Sequence, residues 1–261
     1  MKFRPPCSAK SALLAALLSL PAIALGDWAV VSSKTTPGPA KGIEVVETEL
    51  ARAEPAGTAR LVAVVFDNRS HTFRVVDSPK PGEATLADVM ETRTAFAGVN
   101  GGYFEPDFTP VGLVVTGGKM QRPFKKAKLL SGIVAASPKG AVSIFRSSRF
   151  DPKPGAYREA LQCGPMLVEN SAEVVGLNAE KIARRTVVAT GPGGRVALIY
   201  LTSVTLSDAA QILATPGIFG SWKPAVALNL DGGTSSGLWT RGGISRPEIK
   251  RVRNFLEVVP R

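Results

Sequence analysis

The sequence predicts an α+β fold, a single strand-rich mixed domain with a few short helices. Three observations predict it. Short apolar runs, Leu61-Val62-Ala63-Val64-Val65-Phe66 among them, are bounded by Gly, Pro, Asn and Asp, the pattern of buried strands. Thr85-Leu86-Ala87-Asp88 and Thr205-Leu206-Ser207-Asp208 each set an acidic residue three positions after a threonine, a helix-start signal. The composition, 44% apolar and 20% charged over 261 residues, provides for a real core and excludes a disordered chain.

The first 26 residues read as an export signal. Lys2, Arg4 and Lys10 form a basic head, Ala12 to Leu20 is an apolar run too short to span a bilayer, and Ala24-Leu25-Gly26 is a small-residue exit. Cleavage there makes Asp27 the mature start, leaves no transmembrane segment, and places the protein in the periplasm or outside the cell. Cys7 leaves with the signal, so Cys163 remains as the one cysteine, with no intramolecular disulfide to form. The signal carries three of the 32 Lys and Arg and none of the 21 Asp and Glu, which lowers the net charge from +11 to +8. A basic exported protein draws anionic partners, phosphorylated or uronate glycans before nucleic acid. With three Tyr and three Trp, and no aromatic-basic interleaving, no nucleic-acid module is expected.

Residues 27–58 read as an N-terminal extension and first strand, and 59–261 as the domain. Strands are expected at Ile43 to Thr48, Ala59 to Phe66 and Thr72 to Val76, the last two as a hairpin around Asp67-Asn68-Arg69-Ser70. His71 sits at that turn and reads as exposed or turn-capping. A helix follows from about Leu86 to Thr94, then a strand, Ala95 to Val99, that opens into Asn100-Gly101-Gly102-Tyr103-Phe104. Further strands are expected at Gly112 to Val115, Leu129 to Ala136, Ala141 to Phe145, Val187 to Ala189 and Val196 to Leu201, while Leu161 to Val168 returns to the core with a constrained backbone at Gly164-Pro165. Residues 146–158 form a long basic loop, and Cys163 reads as a small buried hydrophobe.

The second threonine-capped helix leads to Ala225-Val226-Ala227-Leu228-Asn229-Leu230-Asp231-Gly232-Gly233. Thus the chain twice runs from a T-L-x-D helix through an apolar strand into asparagine and paired glycines, which suggests two strand ends facing one site. Asp231 is the candidate carboxylate. Paired glycines permit positive φ or close backbone approach, and their N–H groups suit an oxyanion. Gly233-Thr234-Ser235-Ser236-Gly237 matches a nucleophile elbow in spacing. That machinery needs a histidine after the serine, and the one histidine, His71, precedes it. No G-K-[ST] closes the glycine segment, so it is not a P-loop. Arg184-Arg185-Thr186 at a strand entrance is either surface charge or a guanidinium fork for phosphate.

Taken in order, Asn100-Gly101-Gly102-Tyr103-Phe104, Gly112, Gly164-Pro165-Met166-Leu167-Val168, Arg185-Thr186 and Asn229-Leu230-Asp231-Gly232-Gly233-Thr234-Ser235-Ser236 resemble the phosphodiester glycosidase family over roughly residues 60–259. The resemblance implies hydrolysis at a sugar's anomeric carbon with a phosphate monoester as leaving group, on a glycosyl phosphodiester or phosphorylated glycan. Such a leaving group lowers the demand for a strong general acid and raises the demand for charge stabilisation. Asp231 then activates water or stabilises the anomeric cation, and Glu105 is the second carboxylate. Asn100, Gly101, Gly102, Arg184, Arg185, Thr186, Asn229, Gly232, Gly233, Thr234 and Ser235 are the candidate substrate-binding residues. Asp231, Asn229 and Glu105 are oxygen donors of the kind Ca²⁺ accepts, but no EF-hand spacing holds them, and no metal or cofactor is assigned. The competing reading is a non-catalytic envelope protein that binds anionic glycan through the same residues. Nothing in the sequence sets the oligomeric state.

Overall fold

The computed structural model describes residues 27–78, 82–151, 153 and 155–261. The expected export signal, residues 1–26, lies outside them. The architecture corrects the expected class: strands take 47% of the chain and helices 10%, so the protein is nearly all-β rather than α+β. Both threonine-capped helices exist, α1 (Leu86–Glu91) and α2 (Leu206–Ala214), and each N-cap closes a complete capping box with the aspartate three residues on. At six and nine residues they plug the ends and one face of sheets and form no layer of their own.

The strands are β1 (Ala29–Pro37), β2 (Ile43–Arg52), β3 (Gly57–Asp67), β4 (His71–Asp77), β5 (Ala97–Asn100), β6 (Val114–Thr116), β7 (Lys119–Arg122), β8 (Gly132–Ala136) and β9 (Val142–Arg146). They continue as β10 (Glu159–Cys163), β11 (Met166–Glu169), β12 (Ala172–Glu173), β13 (Ala183–Thr190), β14 (Arg195–Val204), β15 (Val226–Asn229), β16 (Leu238–Thr240), β17 (Ser245–Arg246) and β18 (Asn254–Pro260). They build an eight-stranded sheet in the order β1-β2-β3-β14-β13-β15-β11-β12 and two five-stranded sheets, β7-β6-β10-β8-β9 and β17-β16-β5-β18-β4.

The apolar run of β3 has a simple cause. Val62, Val64 and Phe66 face the central core shared with Phe73, Val99, Val134, Leu161, Leu228 and Leu256 of the other strands. Leu61, Ala63 and Val65 face the opposite way, into a second core with Ala209, Ile212 and Leu213 of α2. A strand covered on both faces needs no polar alternation.

The expected β3–β4 hairpin does not form. The edges of β3 are taken by β2 and β14, so the chain turns at Asp67–Ser70 and crosses to the other sheet, where β4 pairs with β18. His71 is correspondingly buried rather than exposed, bonded at Nδ1 to Ser70 Oγ (2.9 Å) and edge-on to Phe96 (5.5 Å between rings). Among the described residues no helix is long and apolar enough to cross a membrane.

Candidate active site

The site forms where two sheets meet. β15, held between β13 and β11, ends at Asn229; β5, held between β16 and β18, ends at Asn100. The two ends are tied directly: the Asp231 N–H donates to the Gly101 carbonyl (3.0 Å), and Asn100 Nδ2 donates to the Asp231 carbonyl (2.7 Å). Asn100 Oδ1 accepts from Thr186 Oγ1 (2.6 Å) and the Gly237 N–H (3.1 Å). Both Asn100 and Thr186 are fully buried, so this network is a brace across the joint.

The glycines follow from close approach. The N–H groups of Gly101 and Gly102 donate to Asn254, through its carbonyl (2.8 Å) and Oδ1 (2.8 Å), and a Cβ on Gly101 would fall onto Asn254 Oδ1. Gly233 has φ +66° and opens a short 3₁₀ turn, Gly233–Ser235, a conformation that favours glycine.

Asp231 is half-buried at this junction. Burial pushes its carboxyl pKa up, opposed by hydrogen bonds from Ser235 and the Gly232 N–H (2.9 Å to Oδ1) and by the positive fields of Lys250 and Lys181. Beside it, Asn229 Nδ2 lies within donating distance of the carbonyls of Gly164 (2.9 Å) and Leu230 (2.6 Å) and of Tyr103 Oη (3.3 Å), while its Oδ1 is buried with no partner among the described residues. Tyr103 Oη donates to Gly164 O (2.5 Å). Burial raises the Tyr103 hydroxyl and the Cys163 thiol, and the Asp231 charge raises both further, so both stay protonated. Cys163 is wholly buried, as expected from the sequence.

The two arginines separate. Arg184 donates to three backbone carbonyls, Gly233 (3.1 Å), Pro247 (3.3 Å) and Thr234 (3.4 Å), and so holds the glycine loop in place. Arg185 is buried; Nε donates to Val204 O (3.1 Å) and Nη2 to Lys181 O (2.5 Å). Its Nη1 lies against Gly232, 3.7 Å from where a Cβ there would stand. Arg185 makes no ion pair among the described residues, and burial lowers its pKa, the mark of a desolvated cation.

Asn100, Gly101, Thr186, Arg185, Asn229, Asp231, Gly232 and Ser235 therefore converge. Thr234 is exposed, with its carbonyl taken by the N–H groups of Ile249 (2.8 Å) and Lys250 (2.9 Å) and by Arg184. Glu105 is exposed in a tight turn closed by its own N–H and carbonyl with Thr109 and Phe108, and no hydrogen bond joins it to Asp231. Sequence reasoning missed Tyr103 as a site residue, although it lies inside the N-G-G-Y-F segment. It also missed Lys250, whose ammonium stands 5.5 Å over the Phe104 ring, and Lys181. Among the described residues no group of three His, Cys, Asp or Glu side chains stands together as a metal site.

The fold and the site together define an antiparallel β protein in which a desolvated carboxyl is set among cations at a joint between sheets. The phosphodiester glycosidase family profile matches residues 93–259, and the chain belongs to that family. Solved structures share the fold. A hypothetical protein from Synechocystis superposes with TM-score 0.68 at 17% identity, over 88% of this chain and 64% of that one, so this chain spans less than two thirds of its length. The zebrafish N-acetylglucosamine-1-phosphodiester α-N-acetylglucosaminidase catalytic domain, auto-inhibited by its pro-peptide, gives TM-score 0.66 at 14% identity over 88% and 89%. A candidate exported protein from Burkholderia pseudomallei gives 0.62 at 12% over 91% and 98%. No curated protein matches the chain.

Proposed function

We propose that the protein is an exported hydrolase that cleaves a glycosyl phosphodiester between the anomeric carbon and the phosphate. The observation that carries this is Asp231: a carboxyl desolvated at the meeting of two strand ends, with Arg185, Lys181 and Lys250 around it. Family membership supports the reaction class, and the zebrafish enzyme's name describes the same class of bond.

The chemistry divides the residues into two groups. Departure of a phosphate monoester leaves negative charge for Arg185 Nη1 to meet in desolvated surroundings that strengthen the interaction, with the exposed Lys250 and Lys181 adding a screened positive field. The sugar left behind is electron-poor at its anomeric carbon, and Asp231 stabilises that charge or takes the proton of the attacking water. A raised pKa brings a carboxylate base closer to the pH at which it works. The Gly232 N–H and Ser235 hydroxyl hold one carboxylate geometry, so little reorganisation is needed during reaction. Tyr103 and Asn229, fixed on Gly164, form a neutral wall beside the carboxyl.

A panel of α-glycosyl 1-phosphodiesters, scored by phosphomonoester release, tests the reading. Turnover of at least one member is expected; binding without turnover across the panel would make the protein a glycan binder. Export rests on the basic head, apolar run and small-residue exit. N-terminal sequencing of the mature protein should begin near Asp27, and an intact Met1 in the envelope fraction would overturn it.

A further inference from the structure

On the other side of the Gly164–Pro165 turn from Asn229 lies a cavity of about 700 Å³, lined among others by Phe124, Lys126, Lys128, Ser131, Arg146 and Ser148. Its wall is residues 123–131, which join β7 to β8. A lysine-rich connection of this kind is ordinarily a loose solvated loop. Here it is fastened from within by Gln162, whose side chain is almost wholly buried. The Gln162 amide oxygen accepts from the N–H groups of Leu113 (3.0 Å) and Lys125 (3.1 Å), and Nε2 donates to the carbonyls of Lys125 (2.8 Å) and Leu130 (3.2 Å). All four hydrogen-bonding positions of that amide are spent on holding neighbouring backbone, three of them on this segment or its ends. From the other side, the Ser147 N–H donates to Ser131 O (2.8 Å) and its hydroxyl to Leu130 O.

The charges that result are uneven. Arg146 is neutralised by Glu169 in a two-pronged pair, with Nε at 2.9 Å. Lys126 and Lys128 make no ion pair among the described residues and stand exposed on the fastened loop. Phe124 is half-buried, backed by Phe150 (6.3 Å between rings) and, beyond it, by Phe145 and Tyr157. Two uncompensated ammonium groups, an apolar aromatic face and serine hydroxyls match an acidic saccharide. The ring C–H face packs on Phe124, hydroxyls meet the serines, and carboxylates or phosphates meet the lysines. A bare inorganic anion makes no use of the aromatic face.

The cavity and the Asp231 site share a wall. Ser131 Oγ accepts from the Met166 N–H (2.9 Å), and the Gly164 backbone packs on Leu129 O and the Ser131 N–H. Gln162 and Cys163 are consecutive on β10, so their side chains leave opposite faces, one to the loop and one towards Tyr103. We propose that this cavity is a second binding site, for the acidic portion of an oligosaccharide whose glycosyl phosphodiester lies at Asp231. The choice of a saccharide rests on the function proposed above, but binding here requires no turnover.

The experiment is calorimetric titration at low salt with trigalacturonate, glucose 6-phosphate and neutral maltotriose. Wild type, Asp231→Asn and the double variant Lys126→Glu/Lys128→Glu are compared. Trigalacturonate or glucose 6-phosphate should bind wild type at least tenfold more tightly than maltotriose, and the preferred probe identifies the anionic group. The lysine variant should lose at least tenfold in that affinity, whereas Asp231→Asn should keep it. The lysines are exposed, so the variant should melt with wild type; if it does not, Lys126→Ala/Lys128→Ala repeats the test without charge reversal. Equal acidic-probe affinity in the lysine variant overturns the site, as does equal binding of maltotriose or of inorganic phosphate by wild type. Lysine-dependent binding together with no turnover of any glycosyl phosphodiester would leave this site standing and remove the hydrolase reading alone.

Discussion

Two strand ends in this protein carry nearly the same letters, Asn100-Gly101-Gly102 and Asn229-Leu230-Asp231-Gly232-Gly233, and they differ in how completely they are satisfied. Asn100 uses both ends of its amide, accepting from Thr186 and Gly237 and donating to Asp231 O. Asn229 shares its two amide hydrogens among three acceptors, its oxygen is buried without a partner among the described residues, and two residues on stands a carboxyl that burial has pushed towards its neutral form. Saturation marks the first end as a brace. Buried polar atoms without partners also occur elsewhere among the described residues, Asn254 Nδ2 beside the first end included, so it is the desolvated carboxyl of Asp231 that sets the second end apart and makes it the candidate for chemistry.

Removing the charge from the second end should give the largest effect. Asp231→Asn keeps the size and still accepts from Gly232, so kcat should fall by a factor on the order of a thousand or more, about 4 kcal/mol, with much less change in substrate binding. Its stability should move the other way. A carboxyl whose native pKa is raised contributes stability that is complete below its ordinary value of 3.8 and lost as pH rises through the raised native value. The Asn variant should therefore gain on wild type across that interval and hold the gain above it, as read by urea unfolding in a pH series. A turn cap predicts the reverse: lower stability and intact turnover.

Breaking the brace should do the opposite. Asn100→Ala strands the Thr186 hydroxyl, the Gly237 N–H and the Asp231 carbonyl, at a cost of roughly 3 kcal/mol. That corresponds to a drop in Tm of roughly 6–12 °C for a chain of this size. Activity per folded molecule should fall far less than in Asp231→Asn; equal loss of rate in both would erase the distinction between the two ends.

The adjacent arginines sharpen the comparison with the smallest effects. Arg185→Lys keeps the charge but loses the bonds to Val204 O and Lys181 O that aim Nη1 at Gly232, so kcat/KM should drop more than tenfold, about 1.4 kcal/mol. Arg184→Lys touches only loop carbonyls and should cost less than about 1 kcal/mol of stability, with kcat/KM within threefold of wild type. Reversal of that order would assign the phosphate to Arg184.

Much of this was legible in the sequence because it is local. Both helix starts follow from a threonine and an aspartate three residues apart, and the strand cores follow from apolar runs. The class was misjudged because the capping signals announce that helices begin without saying how far they run, and six- and nine-residue helices build no layer. The β3–β4 crossing was hidden because it depends on β14, more than a hundred residues later, occupying the free edge of β3. Asp231, Asn100 and Asn229 were visible as polar letters at strand ends. Lys250 and Lys181 were not, since lysines in basic stretches give no sign of facing a carboxylate brought to them by the fold. The different fates of Arg184 and Arg185 follow from alternation along β13, which turns one side chain to the loop and buries the next.

The central claim concerns which bond breaks: carbon to oxygen at the sugar, with Asp231 facing the anomeric carbon and the cations facing the phosphate. Hydrolysis of a turned-over glycosyl phosphodiester in ¹⁸O-enriched water, with the mass of the released phosphomonoester read directly, measures it. Unlabelled phosphomonoester is the predicted result, because water attacks the sugar. An ¹⁸O atom in the phosphate would mean attack at phosphorus and would contradict the assignment of Asp231 to the anomeric centre.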